Sequence, residues 1–349
     1  VTAVGGRVMP PDTNGDVGVD YYVQYNNLGW EYYDKETGVK QGGPFPGNSF
    51  WDGFGGICDT GNAGDPVVLF DHIAGQWVFS QFASSGGRQC FAVSDGTDPT
   101  GPYALYDFQI SPTSFNDYPK IGIWSDTGGQ SAYHMTSNQF TGGFSGVQVT
   151  AFDRDAMLAG EAASFIKFSL PPAQGSDPFA FSLQPPHLEG DTLPVGKYCG
   201  RYIQVFDNET WGDGTGPDGY RFWDFCTNFD SPGQASFTER LMVTAPEFDA
   251  SLCGLSRSCV PQPGTTQRLD TLGQFTMYRF NMRVVDDEVR GLITHSVDLN
   301  PDESGADPTL AGIRYAYFNM SVDVSFVPVF ARVNGINLRD TGTLAVGDG

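Results

Sequence analysis

Apolar and polar positions are most clearly patterned from Gly64 to Phe82, GDPVVLFDHIAGQWVFSQF. A Gly-Asp-Pro turn leads into an apolar run at 67–70. The chain turns through 71–75 and returns at 76–82, with Trp77 near the start. Short apolar runs bounded by turn formers predict a strand hairpin. Weaker echoes follow Gly15-Asp16, Asn116-Asp117, Gly190-Asp191 and Leu269-Asp270. An aspartate ahead of an inner strand, recurring at intervals of about fifty to eighty residues, is the mark of a radial β array. Only 153–160, DRDAMLAG, reads as a helical turn, with an Asp cap and a glycine stop.

Five strong units plus strand-like ends predict an all-β fold, a β-propeller of about five blades closed by pairing the terminal strands. Six blades is the other count, and a two-sheet sandwich is the rival architecture, because regular turn spacing fits both. The propeller is expected over 1–320, and 321–349 reads as a terminal strand and a polar tail. The proline-rich stretch 171–186 is the candidate boundary if the domain divides. In the fourth unit strands are expected at 202–206, 219–225 and 236–243, and in the fifth at 275–285, 291–297 and 313–318. Pro328 places the last strand at an edge or bulge.

Composition supports a packed core: 40% of the 349 residues are hydrophobic and 14% aromatic, with 45 Gly and 23 Pro for turns. Charge changes the picture more. Forty-one acidic residues against 19 basic give a net −22, a field that repels nucleic acid and anionic lipid and favours cations. No apolar run approaches the ~18 residues of a membrane span. Val1 is not a methionine, which fits a leader already removed as well as a trimmed piece. Six cysteines suggest the pairs Cys58–Cys90, Cys199–Cys226 and Cys253–Cys259 in an oxidising compartment, against the alternative of buried thiols.

The strings DTNGDVG, YYVQ, WDGFGG, GDPVVLFDHIAGQW, FNDYPKIGIW, TSNQF, FDRDAMLAG and LDTLGQFTMYRF span roughly 10–318. Together they resemble a poorly characterised group of secreted bacterial β-propeller domains found in multidomain cell-surface proteins. The resemblance implies an extracellular or surface location and brings no settled reaction.

Three constellations could carry chemistry. The first is the set Asp16, Asp65, Asp117, Asp191 and Asp270, which a propeller would gather at one channel mouth. There they could hold Ca²⁺, act as an acid and base pair, or only accept backbone N–H groups in their turns. Asp65 and Asp117 are the pair expected if the protein is an enzyme. The second is loop calcium: Asp12-x-Asn14-x-Asp16 and Asp298-x-Asn300-x-Asp302 alternate oxygen ligands, and Asp213 and Asp218, with Asp207, form a third loop. The third is aromatic. Trp51, Trp211 and Tyr32, beside glycine-rich or acidic loops, could stack on sugar faces, whereas Trp77 and Trp124 sit in apolar strands and read as core. His134 reads as a packed residue.

The favoured expectation is a secreted, non-catalytic propeller, stabilised by Ca²⁺, that binds a glycan or a protein surface. One alternative is a glycoside hydrolase or lyase using the channel-mouth aspartates. The other is a structural subunit of a surface layer or filament, self-associating through the apolar strand at 322–333.

Overall fold

The computed structural model describes residues 2–3, 6–83, 87–173, 179–252, 258–273, 275–299 and 311–320, and short strands at 325–326, 332–333, 336–337 and 342–345. After a small pair, β1 (Thr2–Ala3) with β2 (Gly6–Arg7), five sheets follow as the blades of a propeller. The first runs outward as β3 (Asn14–Val17), β4 (Tyr21–Asn26), β5 (Gly29–Asp34) and β6 (Lys40–Pro46). The second is β7 (Val67–Asp71), β8 (Gln76–Ala83), β9 (Arg88–Ser94) and β10 (Tyr103–Gln109). The third is β11 (Phe115–Ser125), β12 (Ser131–Phe140), β13 (Phe144–Phe152) and β14 (Phe165–Leu170).

The fourth blade has three strands, β16 (Gly200–Phe206), β17 (Gly219–Cys226) and β18 (Ser236–Thr244). The fifth takes its inner edge from earlier in the chain. There β15 (Pro186–Leu188) pairs in parallel with β21 (Phe280–Val285), followed by β22 (Glu288–Asp298) and β23 (Ala311–Asn319). From the C-terminal region β24 (Ser325–Phe326) and β27 (Gly342–Ala345) both pair with β23. Two small hairpins lie outside the blades, β19 (Ser258–Gln262) with β20 (Thr265–Asp270) and β25 (Arg332–Val333) with β26 (Ile336–Asn337). The rest of 322–333, on which the self-association expectation rests, lies outside the described residues.

Strand periodicity explains how the blades hold together. Successive side chains of β7 point to opposite faces, so Val68 and Phe70 pack with Val23, Tyr25 and Trp30 of the first blade. Val67 and Leu69 pack with Ile121, Ile123 and Met135 of the third. Further clusters join the third blade to the fourth through Val149 and Tyr202, and the fourth to the fifth through Phe222 and Phe318. Among the described residues no such cluster joins the fifth blade to the first.

Trp77 and Trp124 are buried, as expected, and so is His134, whose ring meets the Tyr202 hydroxyl at 3.0 Å. Burial lowers the pKa of His134 to about 3, so it stays neutral. The expected helical turn is α2 (Arg154–Leu158), with Asp153 capping the Ala156 amide and Gly160 at φ +69°. Two shorter helical turns are α1 (Gly56–Thr60) and α3 (Asn208–Trp211). Cys58–Cys90 and Cys199–Cys226 are disulfides. Cys259 is also disulfide-bonded, and Cys253 lies outside the described residues. No described helix is long and apolar enough to cross a membrane.

Candidate active site

Inner strands of neighbouring blades run side by side, so their leading residues meet at one mouth. Asp65 stands between Gly64 and Pro66 at the entry to β7, with its backbone in the left-handed region at φ 43°. Its amide donates to Asn27 Oδ1 at 2.8 Å, and Asn27 also donates to Asp12 and to the Pro10 carbonyl. Asp12 (φ 37°) and Tyr118 (φ 54°) share this backbone conformation. Non-glycine residues held there cost about 1–3 kcal/mol each and cluster at working sites. In the third blade the pairing of β11 with β12 breaks register between Asp117 and Lys120. Such a bulge re-aims side chains, and here the Tyr118 amide donates to Asp65 Oδ2 at 3.0 Å.

Asp12, Asp65 and Asp117, from three consecutive blades, therefore converge around Lys120. The lysine Nζ lies 3.7 Å from the Tyr118 ring centroid and 5.7 Å from that of Tyr278. Burial, then the charge of Asp12, pushes the Asp65 carboxyl up to about 7, against the opposing pull of Lys120. Burial also raises Asp117, opposed by the Tyr118 amide and Lys120. Lys120 is lowered by burial, with the three carboxylates working the other way. Like charges in one site cannot all ionise freely, and Asp65 is the carboxyl that keeps its proton near neutrality.

This arrangement links pH to stability. Between the unfolded pKa near 3.8 and the folded value near 7, native Asp65 holds a proton that the unfolded chain has released. Its contribution to stability therefore falls as pH rises through that window, by up to ~1.4 kcal/mol per pH unit. Asp65→Asn removes this dependence. In urea titrations the variant should gain on wild type steadily from pH 4 to pH 7 and by no further amount at pH 8; parallel stability curves would contradict the assignment.

Asp16 is not in this group. It lies further along β3, where it accepts the Phe70 amide at 2.9 Å and faces Arg279 at 3.1 Å. Asn14 likewise accepts the Val68 amide at 2.9 Å. Asp12, Asn14 and Asp16 thus spend their oxygens on separate partners, Asn27 for the first and the Val68 and Phe70 amides of the neighbouring blade for the other two. Asp191 and Asp270 are exposed and away from the mouth. The reason is topological: Asp191 follows β15 instead of preceding an inner strand, and Asp270 ends the side hairpin β19–β20. In the second calcium motif Asn300 and Asp302 lie outside the described residues, and Asp298 closes β22.

Among the described residues one acidic group has oxygens close enough for a cation, Asp207, Glu209 and Asp218, all within 4.8 Å of one another. Asp207 accepts the Thr210 and Ala250 amides, and Asp218 accepts those of Asn208 and Phe248. These carboxylates brace a loop with their own oxygens. Asp213 turns instead to Thr215.

The aromatic platform is corrected too. Trp51 is 0% exposed and donates to the Phe91 carbonyl, Trp211 is 6% exposed, and Tyr32 packs against Tyr21 and Trp30. Part of the glycine-rich stretch at 42–63 folds inward, pinned by Cys58–Cys90, and its Phe50 and Trp51 rings fill the space between blades, while Phe54 stays exposed.

Below the mouth the axis is filled by charge. Arg279 bridges Asp16 and Glu189, at 3.1 and 3.4 Å, and donates to the Gly15 carbonyl. Glu189 meets buried His187 at 3.2 Å, a contact that, with Arg279 and His72, takes its pKa down to about 2. Beside this column a polar cavity of about 360 Å³ is lined by Thr13, Asn14 and Gly15 on one side and by Tyr278, Arg279 and Asn281 on the other. It abuts the acid group, since Thr13 follows Asp12 and Tyr278 neighbours Lys120. Sequence reasoning missed Asn27, Lys120, Tyr278 and Arg279. Only the apolar strand around Lys120 hinted that a charge there needed partners.

No protein-family model and no curated protein matches the chain. Among solved structures, the exo-β-1,3-galactanase from Phanerochaete chrysosporium is 11% identical with a TM-score of 0.38, covering 92% of this chain; the chain spans only 62% of that enzyme. An α-L-arabinofuranosidase from Lactobacillus brevis is 12% identical at a TM-score of 0.38, covering 91% of this chain and 94% of its own. The WD40 domain of SCAP from fission yeast is 11% identical at 0.37, covering 94% and 60%. Likenesses this distant carry no reaction across. The structures found are mostly sugar-cleaving enzymes, against the expectation of a non-catalytic propeller that binds a glycan or a protein surface. That expectation is withdrawn, and the burial of Trp51 and Trp211 removes the platform it relied on.

Proposed function

We propose that the protein is a glycoside hydrolase whose reaction centre is the group Asp12, Asp65 and Asp117. The observation that carries this reading is the convergence of three carboxylates from three blades around one lysine, beside a polar cavity. Glycosidic cleavage needs one carboxyl that is protonated near neutrality and one that is ionised. Asp65 fits the acid, delivering its proton to the leaving oxygen. Asp117 is the second carboxylate, serving the anomeric carbon directly or through water, and Asp12 and Lys120 set the balance of charge. The protein's disulfides support an oxidising, extracellular place of work.

Without ligand, Asp65 is within hydrogen-bonding reach of both Asp12 and Asp117. A pair flanking a glycosidic bond stands about 5–10 Å apart, so a bound sugar must enter between them and take over the shared proton. Catalytic contacts commonly rearrange in this way on substrate binding. The test is release of reducing ends from a panel of neutral and acidic oligosaccharides. Wild type should cleave at least one, and the Asp65→Asn/Asp117→Asn double variant none. Equal rates for the two proteins, or no cleavage of any substrate, overturns the reading.

A further inference from the structure

The seam between the fifth and first blades, bridged by Arg279 and without an apolar cluster among the described residues, holds more than the cavity beside the acids. On the fifth sheet, side chains alternate between Met282, Val289, Ile293 and Phe318, which enter the core, and an opposite face that carries Arg283, Arg290, Leu292 and Tyr317. That second face bounds a cavity of about 480 Å³ whose walls also include Glu189 and Asn281. Asn281 lines both cavities, and its Oδ1 is buried without a hydrogen-bond partner. The two spaces thus share Asn281 in their walls, and the smaller of them lies beside Asp12.

Their lining runs against the rest of the molecule. Acidic residues outnumber basic ones 41 to 19 in the chain, yet the two cavities together carry three arginines, Arg279, Arg283 and Arg290, and one glutamate, Glu189. Arg279 is committed to Asp16 and Glu189, and Arg290 is paired with Glu288. Arg283 is exposed and its side chain has no hydrogen bond or ion pair among the described residues. A guanidinium matches a planar or tetrahedral anion with paired donors. The half-buried Tyr317 ring and exposed Leu292 supply the apolar surface that a sugar face needs. A neutral glycan would have no use for a free arginine here, in a protein whose overall field repels anions.

We propose that this seam is an oligosaccharide subsite that selects an acidic glycan, with Arg283 receiving the anionic group of a sugar unit bound beside the reaction centre. The proposal rests on the hydrolase reading for its substrate class, but its test needs no turnover. Calorimetric titration of the intact protein would use an oligogalacturonide, a sulfated galacto-oligosaccharide and a neutral xylo-oligosaccharide of equal length. At least one acidic ligand should bind about tenfold or more tightly than the neutral one, and Arg283→Gln should lower that affinity by about tenfold. The pattern between the uronate and the sulfate ligand identifies the anion. Because Arg283 is exposed, the variant should keep the wild-type circular dichroism spectrum and melting temperature. Equal or tighter binding of the neutral ligand, or unchanged acidic-ligand affinity in folded Arg283→Gln, overturns the proposal. Arginine-dependent acidic binding in a protein that cleaves nothing would keep the subsite and remove the hydrolase.

Discussion

Asp65→Asn is expected to slow cleavage of an ordinary glycosidic bond by roughly 10²–10⁴-fold, the usual worth of a positioned general acid. The substitution is conservative in shape. Asn can still accept the Tyr118 amide through its carbonyl oxygen, so the mouth keeps its backbone contacts. What disappears is the proton that burial and Asp12 hold on the carboxyl to about pH 7. The role can be read from the leaving group. An activated dinitrophenyl glycoside departs as a stable anion without protonation, so Asp65→Asn should recover much of its rate on that substrate. Asp117→Asn should remain slow on both. Wild-type kcat/KM should fall as pH rises past about 7, where the acid form is lost, and this limb should vanish in Asp65→Asn. Equal losses on both leaving groups would assign Asp65 to some other role.

Much of the fold was legible, and the reasons are local. Unbroken apolar runs at 67–70 and 76–82 mark strands buried on both faces between neighbouring blades, and turn chemistry marks where strands begin. The same signals placed Asp65 and Asp117 at strand entries, where they meet. They did not separate Asp12 from Asp16. Asp12 lies ahead of β3 with its backbone in the left-handed region, whereas Asp16 lies within the strand. Asp12 therefore joins the mouth, and Asp16 sits in the shaft with Arg279. Periodicity reports facing direction and is silent on depth.

Long-range partners left no local trace. Arg279 donates to the carbonyl of Gly15, 264 positions away. The proline-rich connection read over 171–186 runs at its end into a buried stretch, 183–188, of which Pro186–Leu188 becomes the inner edge of the fifth blade. Its three-residue strand between prolines and Glu189 is too short for any period to show. It fits against β11 because Gly122 has no side chain there: a Cβ would run into the Pro186 carbonyl. The inward folding of Trp51 was hidden for a related reason, since a glycine-rich loop reads as exposed until a disulfide turns it inward.

The largest stability effect is expected far from the acid group, at the outer end of β7. Asp71 receives two parallel bonds from Arg154, Nε at 2.7 Å and Nη2 at 2.9 Å, and a third from the Tyr133 hydroxyl at 3.1 Å. The aspartate side chain is 0% exposed and the arginine 5%. This pair ties the second blade to α2, and through it to the outer strands of the third. Asp71→Ala leaves the buried guanidinium with only the exposed Asp155 carboxylate, 3.6 Å away, as counter-charge, which costs about 3–5 kcal/mol. Replacing both partners is a different matter, because an apolar pair of similar volume avoids the stranded charge. Asp71→Leu/Arg154→Met should therefore recover most of the loss, and Arg154→Met alone should be intermediate, since Tyr133 and the Ala74 amide still bond the carboxylate. Urea unfolding of Asp71→Leu, Arg154→Met and the double variant gives the coupling directly. Additive losses, with the double variant the least stable of the set, would show that the pair acts only through packing volume and that its charges contribute nothing specific to holding the blades together.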